Sequence, residues 1–367
     1  MRSLKINLGA ALIGEELEYK ENINIEFNEN NIVQHIGNGF DSEGIDARSF
    51  ILLPPLVNAH VHTGDFTFPE IGIDKTIKEL VGDPNSEKYK HFELYAEKIE
   101  EGIREFALKA IRHGIRILLD FREQGISGVR KAKKALQNLN IDYFALGRAD
   151  NFSDLNELAK EADGYGLPDF KYHSLSELKI IKDLFAHKIR AVHLSETRRQ
   201  YLLEDLEEII SAYSPSLIIH ATHFKEDEFS LARDKSIPIV FCPRSNMWFG
   251  VGIPQISLAY DQNVKVLYGS DNGSWISPNL WKDLELALLL TRIQKPGSNY
   301  AKNILLSATT EAYKFLGISY TIEEGNKTFP ILIKGEEIFR AKEKYSAIIK
   351  RASDNGIYNL GAIQNIS

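Results

Sequence analysis

From Ile51 to about residue 315 the chain alternates short apolar runs with longer stretches of helical spacing, and that alternation constrains the fold more than anything else in it. Ile115-Arg-Ile-Leu-Leu-Asp-Phe, Tyr143-Phe-Ala-Leu-Gly, Ile189-Arg-Ala-Val-His-Leu, Ser216-Leu-Ile-Ile-His, Ile237-Pro-Ile-Val-Phe-Cys and Val264-Lys-Val-Leu-Tyr-Gly-Ser read as strands. Residues 129–139, 175–187, 202–212, 225–234, 254–262, 279–292 and 301–315 read as helices. Strands alternating with helices at this period form parallel βαβ units. The run from Ile51 to Val57 supplies a seventh strand. An eighth is expected between Asp150 and Lys171, where the pattern is weak. Eight strands close into a TIM-like (β/α)8 barrel, whose active site lies at the C-terminal ends of the strands. A long helix over 91–113 is expected after the first strand, which leaves residues 64–90 as a loop over that same end.

The two ends of the chain read differently. Leu4-Lys-Ile-Asn-Leu and Ile23-Asn-Ile-Glu-Phe alternate apolar and polar residues, as half-buried strands do. Asn28-Glu-Asn-Asn and Gly37-Asn-Gly supply turns. Thr328-Phe-Pro-Ile-Leu-Ile-Lys followed by Gly335-Glu-Glu-Ile-Phe is the C-terminal counterpart. Residues 1–50 and 320–367 are therefore expected to meet in a small composite β-sandwich beside a barrel of residues 51–319.

Composition removes several function classes. Lys and Arg number 44 against 51 Asp and Glu, a net charge of −7, which does not recommend nucleic acid or an anionic membrane as a partner. The single cysteine, Cys242, excludes an internal disulfide framework and a thiolate metal cluster, and reads as a small buried hydrophobe. Residues 1–6 carry no apolar leader and no run reaches membrane-spanning length, so a cytoplasmic protein is expected.

The polar residues that carry chemistry fall at predicted strand ends. His60 and His62 close the first strand, His193 the fifth, His220 the sixth and Asp271 the eighth. Residues i and i+2 of a strand share a face, about 6.6 Å apart at roughly 3.3 Å per residue, a spacing at which two imidazoles can grip one ion. Three imidazoles and a carboxylate suit Zn2+ or Fe2+. An open coordination position would hold a water of lowered pKa. Glu196, three residues after His193, falls beyond the strand end, where its carboxyl can lean over the metal as a proton shuttle without ligating it.

These segments resemble the amidohydrolase superfamily, and within it the cyclic deaminases. Pro54-Pro-Leu-Val-Asn-Ala-His-Val-His is similar to the first-strand motif of that family. His193-Leu-Ser-Glu-Thr and Ile219-His-Ala-Thr-His-Phe resemble the fifth- and sixth-strand segments of S-adenosylhomocysteine and methylthioadenosine deaminases. Pro243-Arg-Ser-Asn-Met-Trp-Phe-Gly-Val-Gly and Gly269-Ser-Asp-Asn-Gly resemble their following loops, and Ala308-Thr-Thr-Glu-Ala with Ile322-Glu-Glu-Gly their closing helix and return. The resemblance implies one divalent ion, Zn2+ ahead of Fe2+, on His60, His62, His193 and Asp271. It implies Glu196, His220 and Asp271 as the catalytic, proton-handling groups. The expected reaction is hydrolytic deamination of an amino-substituted heterocycle: a purine, pterin, pyrimidine or nucleoside. Three departures bear on the substrate, one being the span from His60 to His193, short for that group. Asp169-Phe-Lys-Tyr172 stands where adenosine-type deaminases have His-Ala-Pro-Tyr, and Thr63-Gly-Asp-Phe-Thr-Phe differs from their first loop.

Other readings keep part of this site. Hydrolysis of a cyclic amide or of a chloro-substituted ring would use the same residues. A binding protein on this barrel without catalysis would be expected to have lost ligands that are present here. Barrels of this size commonly pair, so the fold analogy implies a homodimer. Arg122 and Arg148 end strands and suit either an anionic or carbonyl group or a rim ion pair. Trp248, Phe249 and Trp275 suit stacking on a flat ring or plain packing. His223 reads as structural.

Overall fold

The computed structural model describes residues 4–82 and 85–361. Residues 1–3 and 362–367 of the expected terminal unit, and 83–84 of the expected loop, lie outside the described residues. Four strands open the chain: β1 (Leu4–Ile13), β2 (Glu18–Phe27), β3 (Val33–Asn38) and β4 (Ile45–Leu53). The barrel follows: β5 (Leu56–His62), β6 (Ile115–Arg122), β7 (Asp142–Gly147), β8 (Gly164–Leu167), β9 (Ile189–Leu194), β10 (Leu217–His220), β11 (Ile239–Phe241), β12 (Val266–Tyr268) and β13 (Asp271–Asn272). Two strands, β14 (Ile331–Lys334) and β15 (Ile357–Asn359), return to the first group.

The barrel is parallel throughout and has eight strands in effect, because β13 continues β12. The first part of that strand lies along β11, with Val266 opposite Ile239. Its continuation lies along β5, with Asp271 opposite Val61 and Asn272 opposite His62. The seam between these two pairings is held by a side chain. Asn58, fully buried on β5, accepts from the Ser270 N–H at 2.9 Å and donates to the Ser270 hydroxyl at 2.8 Å. The crossing is close, and only glycine fits there: a Cβ on Gly269 would sit 2.7 Å from the His60 Cβ. The fourth strand, β8, occupies the window expected for it. Its pattern is weak in sequence because it is Gly-Tyr-Gly-Leu, with Gly166 facing the Phe121 ring.

The terminal strands form one six-stranded mixed sheet in the order β15-β14-β4-β1-β2-β3. It is one sheet with a hydrophobic core of its own. Ile6, Leu8, Ile23, Ile25, Phe27, Phe50, Leu52 and Leu332 share one core there. The alternate residues Ile51 and Leu53 of β4, with Ala10 and Leu12 of β1, pack instead with the barrel's outer shell. In β1 a register shift between Leu8 and Ala10 carries the chain from one core to the other. A third core fills the barrel lumen, including Val57, Ala59, Leu119, Phe121, Ile219 and Cys242.

Five sequence expectations about elements are corrected, one being the helix expected over 202–212, which is two, Arg198–Leu203 and Leu206–Tyr213. The run from Ile51 to Val57 is not one strand. It splits at Pro54-Pro55, which lack the N–H groups a ladder needs, so Ile51–Leu53 belong to the terminal sheet and the barrel begins at Leu56. The Tyr313 hydroxyl donates to the Pro55 carbonyl at that joint. The expected helix over 91–113 is two helices, Glu87–Leu94 and Ile99–Arg112, and the first buries Lys88 and Phe92. The helix over 301–315 breaks at Ala308, whose carbonyl accepts from the Val57 N–H. Gly335-Glu-Glu-Ile-Phe is not a strand: Glu336–Arg340 is helical, and β15 supplies the last pairing. Among the described residues no helix is long and apolar enough to cross a membrane.

Candidate metal centre

The two histidines of β5 reach the lumen through a fault in the strand. Val57 and Ala59 face inward, and strict alternation would send His60 outward. The register against β6 shifts between Asn58 and Val61, and His60 turns inward directly after Ala59. Its ring meets Phe121 edge-on at 4.4 Å between centroids, His193 at 4.8 Å and His62 at 5.0 Å. At three other strand ends the chain adopts the left-handed region without glycine: Ser195 (φ 51°), His220 (φ 71°) and Asp271 (φ 62°). Such backbone costs on the order of 1–3 kcal/mol per residue and collects at functional sites.

One ligating atom each from His60, His62, His193 and Asp271 lies within 4.8 Å of the others. A second group, Glu196, His220 and Asp271, meets the same limit, so Asp271 belongs to both. His60 Nε2 stands 3.0 Å and His62 Nε2 3.4 Å from Asp271 Oδ1. The outward nitrogens are mostly committed. His62 Nδ1 lies 2.8 Å from Glu123 Oε1, and His193 Nδ1 lies 3.2 Å from the Leu167 carbonyl. The Ser245 hydroxyl donates to Asp271 Oδ2 at 2.5 Å. Asn246 donates through Nδ2 to Thr222, so its Oδ1 accepts from His220 Nδ1 at 2.9 Å. His220 Nε2 then faces Glu196 Oε1 at 3.8 Å.

Three features fit this donor set to a divalent cation. His62 has a carboxylate oxygen beside each ring nitrogen, and against burial and Lys88 the Glu123 and Asp271 carboxylates raise its pKa, whereas a neutral imidazole carries one hydrogen. A cation between Nε2 and Asp271 lets Nδ1–H serve Glu123. Burial pushes the His60 imidazole down to about 3 and His193 well below its usual range, the neutral form that metal ligation requires. Charge balance agrees. Asp65, Asp120, Glu123 and Asp271 are buried carboxylates, and the buried cations among them are Lys88 and Arg122. Carboxylates outnumber cations there, an imbalance that a bound cation relieves.

Burial raises the Glu196 carboxyl above the usual carboxylate range, against the opposing pull of His220. Burial acts the same way on Asp271, but the His60 hydrogen bond and the neighbouring imidazoles hold it well below that range. Two carboxyls within one small space are thus driven apart, one towards an acid and one towards a base.

The remaining residues singled out in the sequence fall elsewhere. Arg122 is buried behind the centre, pairing with Glu123 Oε2 at 2.9 Å. Arg148 donates to the Tyr89 hydroxyl at 2.5 Å and lies over the Tyr89 and Tyr172 rings. Trp275 donates to the Ile71 carbonyl and packs on Phe249, whereas Trp248 is exposed. His223 Nε2 lies 2.9 Å from the Val251 carbonyl. Asp169 accepts from the Lys171 N–H and from Gln200. Sequence reasoning assigned no role to Glu123, Lys88, Asp65 or Asp120, nor to Ser245 and Asn246 within a quoted motif. Glu123, following a strand-end arginine, carried a usable signal. Lys88, in an aperiodic loop, carried none.

Residues 149–359 match the Amidohydrolase family. A putative aminohydrolase of Methanothermobacter thermautotrophicus is 29% identical, over 98% of this chain and 98% of that protein. A 5-methylthioadenosine/S-adenosylhomocysteine deaminase of Thermotoga maritima is 26% identical, over 81% of this chain and 77% of that protein. Among solved structures, guanine deaminase from C. acetobutylicum with bound guanine superposes with a TM-score of 0.81 at 16% identity, covering 98% of this chain and 99% of that one, a likeness of fold.

Proposed function

The chain belongs to the amidohydrolase family, and we propose that within it this protein is a mononuclear metal-dependent aminohydrolase that deaminates an amino-substituted heterocycle. One observation carries the reading: Glu196, His220 and Asp271 converge beside the His60, His62, His193 and Asp271 quartet, so that acid and base bracket one reaction position. A divalent ion held by the quartet, Zn2+ being favoured by three imidazoles and a carboxylate, would lower the pKa of a water and polarise the attacked carbon. Asp271, fixed through Oδ2 by Ser245, takes the proton of the attacking water. His220, whose Nδ1–H is given to Asn246, presents a bare Nε2 beside it, placed to accept a hydrogen bond from the attacking water and so orient it. Glu196, whose pKa burial raises against the pull of His220, gives its proton to the ring nitrogen next to the attacked carbon. The Glu196 carboxylate so formed takes the remaining hydroxyl proton and passes it to the amino group, the C–N bond breaks as ammonia leaves and the carbon becomes a carbonyl, and the proton held by Asp271 returns to Glu196. Substrate and water are consumed and the keto ring and ammonia are formed, with no redox change.

The test is ammonia release from purified protein loaded with Zn2+ or Fe2+, scored over purines, pterins, pyrimidines, nucleosides and triazines. Release from one class supports the reading. Chloride release, or ring opening without ammonia, replaces deamination by the other hydrolyses available to this site. Silence over the whole panel with either metal refutes deamination.

A further inference from the structure

The loop between the first strand and the barrel's outer helices sends a charged side chain to the back of the centre. The Glu87–Leu94 helix buries Lys88, 4% exposed, and Phe92 one turn on. The Lys88 ammonium lies 2.5 Å from Glu123 Oε1, 2.9 Å from Asp65 Oδ2 and 3.4 Å from His62 Nδ1. Burying an ammonium costs several kcal/mol, and Phe92 would anchor the helix without it. What Lys88 adds is a fixed positive charge on the carboxylate that holds His62. Glu123 is drawn two ways, with Oε1 to Lys88 and His62 and Oε2 to Arg122 at 2.9 Å. Its short approach to His62 Nδ1, against the longer one from Lys88, puts the hydrogen on Nδ1 and leaves Nε2 bare towards the other ligands.

We infer that Lys88 is a positioning residue: it holds Glu123 on His62, so that docking of the Glu87–Leu94 helix and binding of the metal are coupled. The inference rests on the metal-centre reading. It extends that reading to the loop, because a helix covering the strand ends then reports on whether the ion is bound. Tyr89, the next residue, accepts from Arg148, so the same helix also touches the chain just past the third barrel strand.

The experiment uses the full chain and does not need the substrate. Zn2+ affinity is measured by chelator competition, the Co2+ absorption spectrum is recorded, and amide hydrogen exchange of residues 87–94 is followed with and without Zn2+. In the wild type one equivalent binds and exchange in the helix slows. Lys88→Met weakens Zn2+ binding by about 10- to 100-fold, the range found when an outer-shell partner is lost. It also shifts the Co2+ bands and removes the metal dependence of exchange in the helix, while Lys88→Arg restores most of each. Because Lys88→Met strands two carboxylates, the Lys88→Met/Asp65→Asn pair serves as a second variant in which the side chain at 65 is neutral and Glu123 is still paired with Arg122. Wild-type affinity and spectrum in that folded pair overturn the inference, as does exchange in the wild-type helix that ignores the metal. A wild type that binds no divalent ion overturns the metal-centre reading itself, and is seen before any variant is made.

Discussion

Replacing Glu196 by Gln separates proton transfer from metal binding, since Glu196 lies in the second cluster of the site and not in the quartet. The amide has nearly the same shape as the acid, and the side chain it replaces is only 13% exposed, so the pocket has no reason to rearrange. Gln cannot give a proton to a ring nitrogen or deliver one to a departing amine. General acid–base catalysis contributes roughly 10²–10⁴-fold per positioned group. One residue serving both transfers belongs near the top of that range. A loss of about 10³–10⁴ in kcat corresponds to roughly 4–5.5 kcal/mol of barrier at about 1.36 kcal/mol per decade. The metal content should stay at the wild-type value. The assay pairs a coupled measurement of ammonia with elemental analysis of the same preparation. A Glu196→Gln protein with full metal and kcat within tenfold of wild type refutes the shuttle. A protein that has lost its metal refutes the separation of the two clusters.

Three further outcomes follow from other parts of the molecule. Asn58→Leu leaves the buried Ser270 N–H without an acceptor and opens the seam between β5 and the eighth strand. Stranding a buried donor costs about 1–3 kcal/mol, so calorimetry should show a lower melting midpoint, and an unchanged midpoint would mean that Asn58 does not hold the seam. Glu204 is pushed up to about 7 by burial, with the neighbouring Asp169 charge adding to this and the Ser195 hydrogen bonds opposing it. Between the ordinary carboxylate pKa and that value the unfolded chain holds fewer protons than the folded one, so this group makes stability fall as pH rises and its cost levels off above about 7. Glu204→Gln should therefore gain stability over wild type at pH 8 relative to pH 5, on the order of 2 kcal/mol by denaturant titration, and a pH-independent difference would sink the argument. Chelating the ion should lower the midpoint, stability falling with the logarithm of free metal by about 2.7 kcal/mol from a hundredfold excess over Kd, and a midpoint indifferent to metal would argue against the centre.

Much of the barrel is legible in the chain because each strand–helix unit is local: periodicity along a dozen residues reports which face is buried. Legibility fails where a distant group takes over a backbone atom. Val57 claims the Ala308 carbonyl and ends a helix that the local pattern would continue. Pro54-Pro55 divides an apolar run whose two halves serve different sheets. The fourth strand is faint because Phe121 leaves room only for glycine at Gly166.

The candidate site divides in the same way. By itself the sequence determined which residue types stand at strand ends: His60, His62, His193, His220 and Asp271 follow apolar runs, and a parallel barrel carries all such ends to one rim. Only the tertiary structure decided that His60 faces inward, because a register shift against β6 reverses the alternation after Ala59. The tertiary structure alone also brought Lys88, Glu123 and Asp65 together behind His62. Strand pattern is set by neighbours in the chain, whereas a buried charge network is set by neighbours in space. Lys88 was one lysine among many until a helix folded over the barrel and placed it 3.4 Å from His62.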